Sequence, residues 1–212
     1  MAKDKGKKGD GGAAVADAGP PVPPRLRDKF RTETAQKVGE KFGLTNPMSR
    51  PRLEKIVVNI NMGRHLDGAK LPPNVKETVL STLTTISGQK PVIVKAKKSV
   101  SNFKLREGFE CAAYVTMRRD RMWYFLDRLI NLAAPRVRDF RGFSPKAFDK
   151  AGNYSMGLTE QGVFPEIDMT KTNFTHGMHI NLVFRNSSPE KSKYLLEELG
   201  FPFRTDEKGG NR

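Results

Sequence analysis

The sequence predicts an α+β protein: an antiparallel-rich sheet with helices packed on one face and an open polar and basic face on the other. Three observations predict it. In three segments apolar residues repeat with a period of two, and the opposite side of each carries Asn, Thr, Lys, Arg or His. Between those segments lie others whose apolar residues recur at helical spacing. Half-apolar strands and striped helices have one simple joint solution, which is to cover each other.

Residues 1–24 come first, rich in Ala, Gly, Pro and Lys and closing on Pro20-Pro21-Val22-Pro23-Pro24. With nothing to bury, they are expected to form a disordered extension. Residues 25–204 are expected to make a single domain, and residues 205–212 a short polar tail. Leu26, Phe30, Val38 and Phe42 give the first helical stripe, stopped at Gly43. Over residues 54–62, Ile56, Val58, Ile60 and Met62 face one way and Lys55, Asn59 and Asn61 the other. Asn74, three before Glu77, is expected to cap a helix striped by Val75, Val79, Leu83 and Ile86, which Gly88 ends. Residues 92–97 read as extended.

A second clear strand covers residues 110–118, with Cys111, Ala113, Val115 and Met117 opposite Glu110, Tyr114, Thr116 and Arg118. Asp120 is expected to cap the strongest helix, striped by Met122, Phe125, Leu126, Leu129, Ile130 and Ala133 and ended by Pro135. Residues 153–159 and 162–164 suggest a hairpin or irregular strand pair. The last strand, residues 178–185, sends Met178, Ile180, Leu182 and Phe184 inward and His179, Asn181 and Arg185 outward. Ser188-Pro189 then opens a helix carrying Leu195, Leu196 and Leu199, stopped at Gly200.

Charge narrows the function classes. Lys and Arg number 38 against 23 Asp and Glu, a formal +15. The first 24 residues hold Lys3, Lys5, Lys7 and Lys8 against Asp4, Asp10 and Asp17, so nearly all the excess belongs to the folding part. A domain so charged repels itself and is expected to sit on a polyanion, with nucleic acid ahead of an anionic membrane surface. No apolar run approaches the ~18 residues of a spanning helix, and the N-terminus lacks the apolar core of a signal peptide. Cys111 is the single cysteine, which excludes an intramolecular disulfide or a cysteine-built zinc site and suits a reducing compartment.

Catalytic parts are few. The histidines are His65, His176 and His179, and the last two read as loop and strand residues rather than a metal pair. There is no glycine-rich phosphate loop, nucleophile elbow or metal-ligand helix motif, and Asp127 and Glu160 stand without a second group to share a reaction. The expectation is no enzyme, no metal and no cofactor.

Two segments stand out for binding. Between two strands, residues 95–108 carry Lys95, Lys97, Lys98, Lys104 and Arg106 around Ser99 and Asn102, with Phe103 and Leu105 as isolated apolar points. We expect a phosphate clamp there, since each cation meeting a phosphate releases counterions. The competing reading is a solvated hairpin with protective charges. Arg136, Arg138 and Arg141 follow the strongest helix. They either grip phosphate bidentately or cover the helix end, and composition does not separate the two.

Several strings, in order, resemble a known family: Pro51-Arg52-Leu53-Glu54-Lys55-Ile56-Val57-Val58-Asn59, Ile86-Ser87-Gly88-Gln89-Lys90-Pro91, Lys97-Lys98-Ser99-Val100, and Phe103-Lys104-Leu105-Arg106-Glu107-Gly108. Further on come Phe125-Leu126-Asp127-Arg128-Leu129-Ile130, Pro135-Arg136-Val137-Arg138-Asp139-Phe140-Arg141-Gly142, Gly152-Asn153-Tyr154-Ser155-Met156-Gly157, Phe164-Pro165-Glu166-Ile167-Asp168 and Phe201-Pro202-Phe203-Arg204. Over residues 25–204 the chain is similar to the bacterial large-subunit ribosomal protein five family, which binds 5S rRNA. It departs from the family at Arg118-Arg119-Asp120, where an Arg-Gly-acid turn is common, at residues 60–67, where a differently built turn is implied, and at His179 to Arg185, where threonines are usual.

The resemblance implies a ribosome-bound cytoplasmic protein in the central protuberance, with 5S rRNA, 23S rRNA, the P-site tRNA, a small-subunit head protein (family thirteen) and neighbouring protuberance proteins as partners. Lys55, Asn59, Gln89, Thr116 and Arg118 would meet 5S rRNA, joined by Asn61 from the strand of Asn59 and by Lys95 from the extended segment 92–97. The loop with Lys97, Lys98, Ser99, Asn102, Lys104 and Arg106 would reach the tRNA, and the intersubunit bridge would lie near Arg136, Arg138 and Arg141. The alternatives are a free RNA chaperone or regulator with nonspecific binding, and an enzyme with an unrecognised site.

Overall fold

A computed structural model describes residues 22–63, 71–103, 105–172 and 174–204. Most of the N-terminal extension, the C-terminal tail, His65 and Lys104 lie outside the described residues.

Five strands, β1 (Arg52–Asn61), β2 (Val92–Lys95), β3 (Glu110–Met117), β4 (Tyr154–Leu158) and β5 (Met178–Arg185), form one sheet in the order β2-β3-β1-β5-β4. Every neighbouring pair is antiparallel. The period-two pattern sets the register. Val58 lies opposite Val115 on one side and Ile180 on the other, so the apolar members of the three central strands share one face. Ile56, Ile60, Met117, Ile180 and Leu182 are fully buried there, each contributing about 1.5–3 kcal/mol by leaving water.

The helices cover that face. They are α1 (Arg25–Lys29) and α2 (Ala35–Lys41), joined by a π-helical turn at Phe30–Thr34, then α3 (Pro73–Ser87), α4 (Arg119–Arg128) and α5 (Pro189–Glu198). Val79, Leu83 and Ile86 of α3 and Met122, Phe125 and Leu126 of α4 enter the core, as do Leu26 and Val38. Lys41 lies 3.5 Å over the ring of Tyr194 and Lys37 pairs with Glu198 at 3.0 Å, which fastens α2 to α5. The lysine hydrogen bond holds the Glu198 carboxyl below its ordinary range. At the far end of the sheet, Phe143, Phe148, Tyr154, Phe201 and Phe203 form an aromatic cluster with centroids 4.7–6.0 Å apart.

Five expectations need correction. Helix α3 starts at Pro73 with Pro72 at its cap position and no side-chain cap bond, because proline at the first turn already removes an orphan N–H. Asn74 sits inside the helix, where its carbonyl accepts from Thr78. Asp120 does not cap α4 either, since Arg27 takes its carboxylate and Arg118 holds the cap position. Pro135 does not end the chain's helical path, which continues through a π turn (Leu129–Ala133) into a 3-10 turn at Ala134–Arg136. Residues 162–164 are no strand: Gln161–Val163 is a 3-10 turn, and β4 pairs with β5 instead. Residues 92–97 are strand only as far as Lys95.

Candidate nucleic-acid interface

The strand alternation that buries one face turns a polar one outward. On β1, Lys55 and Asn59 are half-buried and Asn61 is exposed, alternating with buried neighbours. Thr116 on β3 lies opposite Val57, and Val57 lies opposite Asn181 on β5, which lies opposite Ser155 on β4. One row thus runs Thr116, Val57, Asn181, Ser155. The next runs Tyr114, Asn59, His179, Gly157. Directly opposed side chains stand about 5 Å apart, so these amides, hydroxyls and rings form one continuous surface. Lys55 supplies a cation within it. The other charges lie at the two ends of β1.

At one end, Arg118 is exposed just past β3, and the next position on β1 beyond the Ile56–Met117 pair is Lys55. At the other, Asn61 accepts a 2.8 Å hydrogen bond from the Gly63 N–H, which commits part of its amide to the turn. Gln89 is half-buried just after α3, where its N–H donates to the Ser87 hydroxyl at 3.2 Å. Lys95 is exposed at the end of β2, opposite Glu110, whose carboxylate is taken by Lys76 at 2.7 Å.

The basic loop is an ordered extension of the β2–β3 hairpin. Val100 and Leu105 exchange backbone bonds of 2.9 and 3.1 Å, a 3-10 turn occupies Ser101–Phe103, and the Ser99 hydroxyl accepts from the Glu107 N–H at 3.0 Å. Lys97, Lys98, Asn102 and Arg106 are exposed around it, and Phe103 at the tip is 70% exposed. Neither lysine nor Arg106 has an ion pair among the described residues.

Arg136, Arg138 and Arg141 are all exposed. Gly142 there adopts φ +97°, and a Cβ would meet the Arg204 backbone nitrogen at 2.5 Å, where the Arg204 N–H bonds the Phe143 carbonyl at 2.8 Å. The three arginines therefore ride on a tightly tied segment, and Arg138 and Arg141 line a groove with Gly157, Leu158 and Thr159 at the end of β4.

Of the two carboxylates weighed for catalysis, Asp127 has other work. Asp127 accepts from Arg25 at 2.7 Å and from Asn131 at 2.6 Å. His176 is buried, its ring 3.4 Å from the Thr82 hydroxyl, while His179 is exposed. Among the described residues no three His, Cys, Asp or Glu gather as a metal site, and no helix is long and apolar enough to cross a membrane. Cys111 is half-buried, its thiol facing the Val94 carbonyl at 3.5 Å.

Fold and charge define a class: a basic α+β protein with a polar sheet face and cations at both ends of it, the kind of surface that suits a polyanion. Comparison with known proteins narrows it. A family model for the C-terminal part of the ribosomal protein L5 family matches residues 110–203, and one described as Ribosomal protein L5 matches residues 46–106. The large ribosomal subunit protein uL5 of Kocuria rhizophila is 49% identical over 183 residues, covering 86% of this chain and 95% of that protein. Its counterpart in Streptomyces coelicolor is 51% identical over 181 residues, covering 85% and 96%. That of Caldanaerobacter subterraneus is 50% identical over 179 residues, covering 84% and 98%. The chain belongs to the ribosomal protein L5 family, whose members are structural ribosomal proteins and not enzymes.

Proposed function

We propose that this protein binds 5S rRNA on the outward face of its sheet and helps attach it, beside 23S rRNA, in the central protuberance of the large ribosomal subunit. Family membership supports the coarser statement, a protein of the large ribosomal subunit. The observation that carries the finer one is the set of polar side chains, Thr116, Asn59, Asn181 and Ser155, that four adjoining strands hold on one face around Val57. Amides and hydroxyls held on rigid strands suit the 2′-hydroxyls and phosphates of folded RNA, while one half-buried tyrosine offers little for stacking a run of single-stranded bases. Lys55 then positions the RNA, and Arg118 and the amides select it.

The ordered β2–β3 extension serves a different contact. With Lys97, Lys98 and Arg106 exposed around Phe103, it reaches the P-site tRNA. The tied segment bearing Arg136, Arg138 and Arg141 faces the small-subunit head protein across the bridge.

Single substitutions separate these assignments. Asn59→Ala or Arg118→Ala lowers affinity for 5S rRNA relative to a generic duplex by about 5- to 20-fold, the worth of one lost hydrogen bond, about 1–1.5 kcal/mol, or somewhat more when charged. Lys97→Ala and Lys98→Ala leave 5S affinity close to wild type and weaken tRNA binding, all read by filter binding at fixed salt. A loss of 5S affinity in the loop variants as large as in Asn59→Ala would contradict the division of labour.

A further inference from the structure

A second concentration of positive charge lies at the end of the molecule where β1 begins, and none of the residues assigned above lines it. Arg27 and Arg31 from the N-terminal helical segment, Arg52 from β1 and Arg119 from the start of α4 converge on a groove of about 540 Å³. Its remaining wall includes Phe30 and Trp123, whose rings lie 5.4 Å apart. Among the described residues Asp120 is the only carboxylate lining it, and Arg27 is already paired with Asp120. Arg31, Arg52 and Arg119 are exposed and have no ion pair among the described residues.

Two features show a local cost borne at this end of the molecule. Past the bulge at Glu54, Arg52 is directly opposite Arg185 on β5, and both are exposed. Like charges placed opposite each other weaken a sheet. Arg119 has φ +54°, in the left-handed region that favours glycine, so the chain carries an arginine where its backbone conformation disfavours one. Local strain and repulsion of this kind persist where something else is gained.

We propose that this groove is a second RNA site, taking the phosphate backbone of duplex RNA on Arg31, Arg52 and Arg119, with Arg27 fixed by Asp120 as its rigid wall. It rests on the reading of the protein as an RNA binder. β1 carries the groove at its first residue and reaches the turn beside the basic hairpin at its last, its 10 residues spanning about 30 Å at ~3.3 Å per residue. The protein thereby holds RNA at both ends of its polar face. Guanidinium groups suit this role, since each offers a planar fork that matches two phosphate oxygens.

The test is the full chain and its Arg31→Ala/Arg52→Ala/Arg119→Gly variant, titrated with 5S rRNA and with a generic RNA duplex across a salt series. Removing three phosphate contacts lowers the slope of log affinity against log salt by about two to three, and weakens binding at least tenfold at low salt for both RNAs. Thermal unfolding of Arg119→Gly alone is measured beside it. The proposal expects its Tm unchanged or raised, because glycine relieves the backbone, with the salt slope lowered by about one. An unchanged slope in the triple variant, with wild-type binding intact, overturns this site while leaving the sheet-face reading in place. A fall in Tm of Arg119→Gly parallel to its loss of binding makes the arginine structural and also overturns the site. Wild-type protein that binds neither RNA measurably overturns the reading on which the proposal rests.

Discussion

At the scale of single residues, the fold depends on a few places where backbone approaches backbone. Gly152 is buried with φ +80°, and an added Cβ would lie 2.8 Å from the carbonyl carbon of Ser188, the residue that opens α5. Gly88, at the end of α3, has φ +63° and nothing within 4 Å of the same position. Gly152→Ala is therefore expected to lower stability by about 2–4 kcal/mol, strain and overpacking together. Gly88→Ala should lower it by about 1 kcal/mol, from strain alone. Urea denaturation of the two variants reads the difference, and equal losses would mean that the contact with Ser188 carries no energy.

Tyr154 adds a pH dependence. Its hydroxyl donates to the Ser144 carbonyl at 2.8 Å, and burial pushes its pKa up to about 12. An unfolded tyrosine ionises at about pH 10. The raised folded value favours the neutral phenol, so its stabilisation is complete below about pH 10 and is lost as pH climbs toward about 12. Compared with Tyr154→Phe, which keeps the ring, the wild type should be more stable by about 1 kcal/mol at about pH 8. That advantage should shrink steadily above about pH 10. A gap that stays constant to about pH 11 would contradict the account.

At the scale of elements, the sequence was legible wherever a period could be counted. The strands at Lys55–Asn61, Glu110–Met117 and Met178–Arg185 carry their two faces in alternation, and the structure turns Ile56, Val58 and Ile60, Ala113, Val115 and Met117, and Met178, Ile180, Leu182 and Phe184 toward the core, with Val57 and Val183 half-buried on the other face. Asn59, Thr116 and Lys55 could be named from that alternation alone. Helix caps were less legible because they are settled by competition at a distance: Asp120 is a capping residue by type, but Arg27 comes from 93 residues away to take it. Strand order, and β4 pairing with β5, depend on long-range register that no local pattern encodes. The groove at Arg27, Arg31, Arg52 and Arg119 is illegible in the sequence for the same reason, since its members are scattered over three segments.

Arg128 is the clearest tie between elements. It donates to the Ile86 carbonyl at 2.7 Å near the end of α3 and pairs with Glu166 in the turn that follows the Gln161–Val163 segment. Removing it strands a half-buried carboxylate and a helix-end carbonyl. Arg128→Ala should thus cost about 2–3 kcal/mol, and adding Glu166→Gln should recover part of it. Additive losses in a double-mutant cycle would show that the two residues act independently.

For the whole molecule, the excess of cations and the placement of acids belong together. Among the described residues, ion pairs bind helix to helix, helix to strand or helix to turn, or brace α5 along its own length. Lys97, Lys98, Arg106, Arg118 and Arg119 point outward without such partners among those residues. The scaffold neutralises itself where it packs and stays positive where it faces out. Such a surface binds any nucleic acid at low salt, and electrostatics alone would make it a nonspecific polycation. The fixed amides and hydroxyls of the sheet are what would give it a preferred RNA.

The most direct test of that claim is the affinity of the full chain for 5S rRNA, for a tRNA and for a generic duplex of equal length, measured across a salt series. The account predicts a preference for 5S rRNA that persists as salt rises, because hydrogen bonds and shape are screened far less than phosphate contacts. Affinities that are equal at low salt and collapse together at high salt would contradict it, and would make the protein a free, unselective RNA binder.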